Sequence, residues 1–279
     1  MASRKEQKEA AREARLAAEQ AAQAKTAQRQ RYGVIGGVVV IAVIVAVVAI
    51  VVSSNNGSTK GKNVSSGLAK TTKAQTATYD AVATELKGIP QTGTTLGKTS
   101  APVTIQYFGD LECPYCAALT VGEGGSGLPQ LIKTQVKSGQ VKLVYHSMET
   151  ATAGTNNDRW IPQQTAAYAA GEQGLFWQYA ELFYHEQGDE QSKYVTEAYL
   201  DGLAKQIPGL NYAKWMADRK NDAALVAQVN ADGKKATGYG LQGTPSLIAT
   251  GSKGSEIIPS NSSGVQSYSS ITSAIKSVS

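Results

Sequence analysis

Hydrophobic and polar positions divide the chain into stretches of very different character. Residues 1–32 are rich in Ala, Glu, Gln, Lys and Arg, and Leu16 is the exception in a run that is otherwise almost free of large apolar side chains. Such a run has no apolar stripe to bury and reads as a solvated helix or a disordered segment. From 33 to 52 every residue is Gly, Ala, Val or Ile. Twenty helical residues rise about 30 Å, the thickness of a bilayer's hydrocarbon core. Residues 53–76 are dominated by Ser, Asn, Gly, Thr and Lys, the composition of a flexible tether. From 77 to 279 the alternation and periodicity are those of a folded domain.

Within that domain the β-branched and aromatic run 103–108 predicts a strand, and 141–146 a second one. Residues 160–170, 175–186 and 194–206 place apolar side chains three and four apart, as helices do, and 210–236 reads as one or two more helices. Gly171, Gly188 and the Pro208-Gly209 step punctuate them. Phe176, Trp177, Tyr179, Phe183 and Tyr184 are expected to form the core face of these helices. The run 246–250 predicts a third strand, 255–258 its hairpin partner, and 265–278 a terminal helix. The order strand, helix, strand, helical block, strand, strand, helix describes an α/β domain with a helical insertion at about 158–236.

Charge refines the picture of the N-terminus. The chain carries 27 basic and 22 acidic side chains, a formal charge of +5. Residues 1–32 account for +4 of this, from eight Lys or Arg and four Glu, so the remainder is nearly neutral. Positive charge beside an apolar span fits anionic lipid better than nucleic acid, and no nucleic-acid partner is expected. Arg29 and Arg31 precede the span and the next basic residue is Lys60. The positive-inside rule then puts the N-terminus in the cytoplasm and the folded domain outside the membrane. The leader and apolar run are too long for a cleaved signal peptide, and an uncleaved single-pass anchor is expected.

The candidate chemistry lies in Cys113-Pro114-Tyr115-Cys116, which holds the chain's two cysteines. A disulfide closing so short a loop constrains little, so reactivity rather than stapling explains the pair. Zinc needs further ligands, and His146 and His185 lack ligand spacing, so no metal is expected. Heme attachment needs a His after the second cysteine, where Ala117 stands. A cysteine at the start of a helix meets unpaired backbone N–H groups and the positive end of the helix dipole, which favour the nucleophilic thiolate. Pro114 suits the first helical turn. Cys113 is therefore the expected nucleophile and Cys116, one turn along and more shielded, the resolving thiol in thiol–disulfide exchange. No cofactor is expected.

The motif from Ala101-Pro102 through Asp110-Leu111-Glu112-Cys113-Pro114-Tyr115-Cys116, followed at long range by Gly243-Thr244-Pro245-Ser246, resembles the DsbA-like branch of the thioredoxin superfamily. Membrane-anchored Gram-positive and actinobacterial versions are the most similar. The resemblance implies a thioredoxin-like fold with a helical insertion. It further implies a cis-proline at Pro245 facing the cysteines, and a substrate groove lined by Pro114, Tyr115, Thr244 and Pro245. The implied activity is oxidation of cysteine pairs in exported proteins, with a quinone-linked membrane partner to re-oxidise the enzyme. A reductase or isomerase using the same cysteines, and a non-catalytic peptide-binding module, stay open as alternatives. Two departures from the family pattern stand out. Tyr115 occupies the place of a His inside the dithiol loop, which implies a milder oxidant. Tyr107 stands where relatives carry a buried acid, while Asp110 and Glu112 are expected to face solvent.

Overall fold

The computed structural model describes residues 73–153 and 158–279. The charged segment 1–32, the apolar run 33–52 and residues 53–72 of the tether lie outside the described residues. Among the described residues no helix is long and apolar enough to cross a membrane.

The first helix, α1 (Lys73–Leu86), begins inside the stretch read as tether. It is held there by packing rather than by composition, burying Val82 and Leu86. Two two-residue strands follow, β1 (Gln91–Thr92) and β2 (Thr95–Leu96), too short to carry a periodic signal. Trp177 explains their position, since its Nε1 donates to Thr94 O at 3.1 Å. Strand β3 (Val103–Gly109) leads to α2 (Pro114–Val121). A further helical segment, α3 (Leu128–Leu131), runs on into a π-helical turn over Ile132–Val136, in a stretch whose sequence predicts no element. Strand β4 (Val141–Ser147) completes the crossover.

The helical block comprises α4 (Trp160–Gly171), α5 (Phe176–His185), α6 (Glu197–Lys205), α7 (Tyr212–Asn221) and α8 (Ala223–Gly238). Thr196, Asn211 and Asp222 cap the last three, each side chain accepting from a backbone N–H in the first turn. These are the oxygen-bearing residues that satisfy otherwise orphaned donors. The chain then returns through β5 (Ser246–Gly251) and β6 (Gly254–Ile258) to α9 (Tyr268–Val278), capped by Ser267.

The six strands form one mixed sheet in the order β1-β2-β4-β3-β5-β6. Strands β3 and β4 are parallel, Val103 opposite Val141 and Gly109 opposite Ser147, and the other pairings are antiparallel. With both flanks hydrogen-bonded, β3 is almost wholly buried, and its C-terminal end delivers the chain to α2. The aromatic cluster is core, as its spacing predicts. Phe176 meets Tyr145 of β4 with ring centroids 5.0 Å apart, and Phe183 meets Tyr199 edge-on at 5.1 Å. The helical block is thus anchored to the sheet beside the end of β3, where it covers the approach to α2.

Candidate active site

Cys113 is the N-cap of α2, with extended backbone (φ −72°, ψ 122°) and no side-chain capping bond. A Ser or Asp there would cap the helix with its oxygen. A sulfur leaves the first-turn N–H groups aimed at itself. Pro114 occupies the first helical turn, and Gly122 ends the helix at φ 89°, a left-handed conformation that glycine adopts without strain. Cys113 is 6 % exposed and Cys116 is fully buried. Both are free thiols.

The second element of the site arrives from far along the chain. The Thr244-Pro245 peptide is cis. It brings Thr244 O to 3.5 Å from Cys113 Sγ, which donates to it. Gln266 Nε2 donates to Pro245 O at 3.2 Å, tying the same loop to the segment before α9. Pro114 and Tyr115 are exposed beside the sulfurs, Tyr115 by 55 %. The Tyr115 ring lies over Gly264, where a Cβ would come within 2.9 Å of it. All six residues singled out from the sequence (Cys113, Pro114, Tyr115, Cys116, Thr244 and Pro245) therefore surround one place at the mouth of α2.

The two sulfurs differ sharply in acidity. Cys113 is lowered from the ordinary 9.0 to about 7, chiefly because the Cys116 thiol donates to it. Burial works against this, while the Thr244 side chain and the backbone N–H groups of Cys116 and Tyr115 add to the lowering. Cys116 is pushed well above its ordinary value by burial, and by Cys113 as its hydrogen-bond partner and neighbouring charge. The arrangement thus holds a thiolate outside and a proton-bearing thiol inside.

The surroundings correct one expectation. Asp110 and Glu112 do not face solvent; both are buried. The helical block closes over them. Gln163 Nε2 of α4 donates to Glu112 Oε2 at 3.1 Å, and Tyr184 OH of α5 donates to Asp110 O at 3.3 Å. Gln187 Nε2 donates to Leu111 O at 2.8 Å and Cys113 O at 3.2 Å, clamping the loop before α2. Burial and the Asp110 charge raise Glu112 to about 7, and burial raises Asp110 despite the donors around it. Tyr107 is buried as well, donating to Cys116 O at 3.3 Å. Gln163, Tyr184 and Gln187 carry no sequence signal as site residues, since only the docking of the helical block gives them this role. His146 is occupied elsewhere, its Nδ1 lying 2.7 Å from Asp232 Oδ1.

Residues 90–276 match the family model described as Thioredoxin. The chain belongs to the thioredoxin family. Within it, this thioredoxin-family chain is a DsbA-like thiol:disulfide oxidoreductase. It is 27 % identical over 157 residues to the probable disulfide bond formation protein D of Bacillus anthracis, covering 56 % of this chain and 69 % of that one. Disulfide bond formation protein D of Bacillus subtilis strain 168 is 26 % identical over 167 residues, covering 58 % and 68 %. In fold it is similar to oxidised BdbD from Bacillus subtilis, with a TM-score of 0.54 and 22 % identity over 68 % of this chain and 95 % of that one. DsbA of Chlamydia trachomatis superposes with a TM-score of 0.52 at 16 % identity, covering 66 % and 90 %.

Proposed function

We propose that this thioredoxin-family protein is a membrane-anchored oxidase that makes disulfides in exported proteins outside the cell membrane, with Cys113 as the exchanging sulfur. Residues 33–52 would be the single span, 1–32 the cytoplasmic segment and 53–72 the tether to the folded domain. The Cys113–Cys116 pair at the start of α2, with Thr244 O of the facing Thr244-Pro245 loop 3.5 Å from Cys113 Sγ, carries the reading of exchange at Cys113.

In the oxidised protein a substrate thiolate attacks Cys113 Sγ. The Cys113–Cys116 bond breaks, and the electron pair leaves on Cys116, which takes up a proton. A second substrate thiolate then attacks the substrate sulfur of the mixed disulfide. Cys113 departs as thiolate, the substrate gains a disulfide, and the protein is left as the dithiol. A thiolate stabilised at Cys113 makes this last step favourable. The lowering of Cys113 to about 7 makes it a competent attacking and leaving sulfur at neutral pH, while the direction of exchange follows from the reduction potential of the pair and its re-oxidising partner. The groove residues Pro114, Tyr115, Thr244 and Pro245 would receive the extended substrate chain. Each turnover leaves two electrons on the protein, so a re-oxidising partner is required, and a quinone-linked membrane oxidase fits that need.

The test is the redox state of the Cys113–Cys116 pair in intact cells, with partners captured by Cys116→Ser. An oxidised pair and mixed disulfides with exported proteins are expected. A pair found reduced in cells would instead indicate a reductase, and no captured partner a binding module. Protease treatment of intact cells tests the topology: the folded domain should be cut away while residues 1–32 stay protected.

A further inference from the structure

Thr150, in the loop after β4, stands between the buried Asp110 carboxylate and the Thr244 hydroxyl. Its backbone N–H donates to Asp110 Oδ2 at 2.8 Å, as does that of Ala151. Glu112 N donates to the other carboxylate oxygen at 3.0 Å. These bonds lock the loop after β4 against the segment leading into α2. The Thr150 side chain is thereby aimed at two acceptors. Asp110 Oδ2 lies 3.3 Å from Thr150 Oγ1, and Thr244 Oγ1 lies 2.6 Å from it. A hydroxyl has one proton to donate. The choice it makes dictates the direction of the Thr244 proton.

When Thr150 donates to Thr244, the Thr244 proton turns away from Thr150 and can face the Cys113 side, where the Thr244 side chain helps to hold the thiol pKa down. When Thr244 donates to Thr150, the Thr150 proton turns to Asp110, an acceptor-only group. Thr244 can therefore offer a donor to the Cys113 side or withdraw it by rotation of its hydroxyl, while its backbone carbonyl stays 3.5 Å from Cys113 Sγ. We propose that Thr150 is a positioning residue for the dithiol: held by Asp110, it orients the Thr244 hydroxyl toward Cys113 in the thiolate state and takes that proton back when the disulfide forms. Thr150 touches neither sulfur. Its effect passes through Thr244 alone, and Asp110 serves as the resting acceptor of the hydroxyl pair.

The inference rests on the exchange chemistry proposed for Cys113. Its test uses the full-length chain in detergent, with oxidation of a dithiol peptide and the ultraviolet titration of the Cys113 thiolate as readouts. Thr150→Val keeps the shape and both backbone N–H bonds to Asp110 but removes the hydroxyl. Its thiolate titration should move to higher pH, its reduction potential should become more negative, and its exchange rate at neutral pH should fall by about threefold, as expected for one modest hydrogen bond. Thr150→Ser should restore the wild-type titration, and Thr150→Ala should behave like Thr150→Val. A thermal melt on each variant separates this from loss of fold. A wild-type titration midpoint in Thr150→Val and Thr150→Ala overturns the proposal, and so does a Thr150→Ser variant shifted as far as Thr150→Val. Absence of exchange in the wild-type protein would overturn the proposed function instead, leaving the titration to report on Thr150.

Discussion

The two ends of one helical turn make the most instructive contrast in this molecule. Cys113 and Cys116 are three positions apart on the same element, yet one is acidified to about 7 and the other is pushed far up. At the mouth of α2, backbone N–H groups, a neighbouring thiol and the Thr244 side chain all point at a sulfur that still touches solvent. One turn deeper the sulfur is enclosed, with the buried Tyr107 and Tyr184 in the aromatic interior alongside. Burial alone raises a thiol's pKa; donors lower it. The difference shows that acidity here is set by depth along the helix and not by residue type. It also gives exchange a direction, since the outer sulfur can attack and leave as thiolate while the inner one retains its proton.

The largest expected break in this contrast comes from exchanging the sulfurs for oxygens. Cys113→Ser should abolish disulfide exchange altogether, because a serine hydroxyl is not ionised at neutral pH. Cys116→Ser should still attack once and stall as a mixed disulfide, visible on non-reducing gels.

Alkylation kinetics are the next measure. In the reduced protein, iodoacetamide labelling should be confined to Cys113 and rise with a midpoint near pH 7, following its lowered value of about 7. Cys116 should label only after unfolding. Stability should respond with opposite signs. Between about pH 7 and 9 the native state has lost a proton from Cys113 that the unfolded chain keeps, so the reduced form gains stability as pH rises. Above about pH 9 the native state keeps the Cys116 proton that the unfolded chain loses, and stability falls again. Denaturant melts of the oxidised protein should lack both slopes.

Glu112 sharpens the comparison from the inner side. Its folded value of about 7 lies above the ordinary 4.5. Between those limits the native state binds the extra proton, so stability declines as pH rises. Glu112→Gln should remove that decline in a urea series run from pH 4.5 to 7. The smallest effect is expected from Tyr107→Phe, which deletes the hydroxyl donating to Cys116 O. It should cost about 1 kcal/mol of stability and leave the Cys113 titration where it was. A shifted titration would show that the inner aromatic wall also tunes the outer sulfur.

Much of the frame could be read along the chain, because its signals are local. The β-branched runs became β3 and β4 with an extra residue at the end of each, and Thr196, Asn211, Asp222 and Ser267 mark helix starts through oxygens that serve the adjacent turn. The features that carry no local signal depend on contacts with distant residues. Strands β1 and β2 are too short for any period, and α3 is a four-residue segment with Pro129 in its first turn, preceded by a Gly-rich run. Asp110 and Glu112 have the sequence context of ordinary surface acids, and only Gln163, Tyr184 and Gln187, closing over them, bury them. Thr150, in a polar loop, gave no hint of its partners.

The dithiol, its place at the start of a helix and the Thr244-Pro245 motif were determined by the sequence itself, since residue identity and short-range spacing suffice for each. The unequal roles of the two sulfurs follow from their places along the helix, but only the tertiary structure decided how far apart their acidities would be set, that Asp110 and Glu112 would be buried, and that Thr150 would meet Thr244. The Thr244 carbonyl reaches Cys113 from 131 positions away. Electrostatics and desolvation act over a few ångströms, so they follow from which distant segments the sheet brings together.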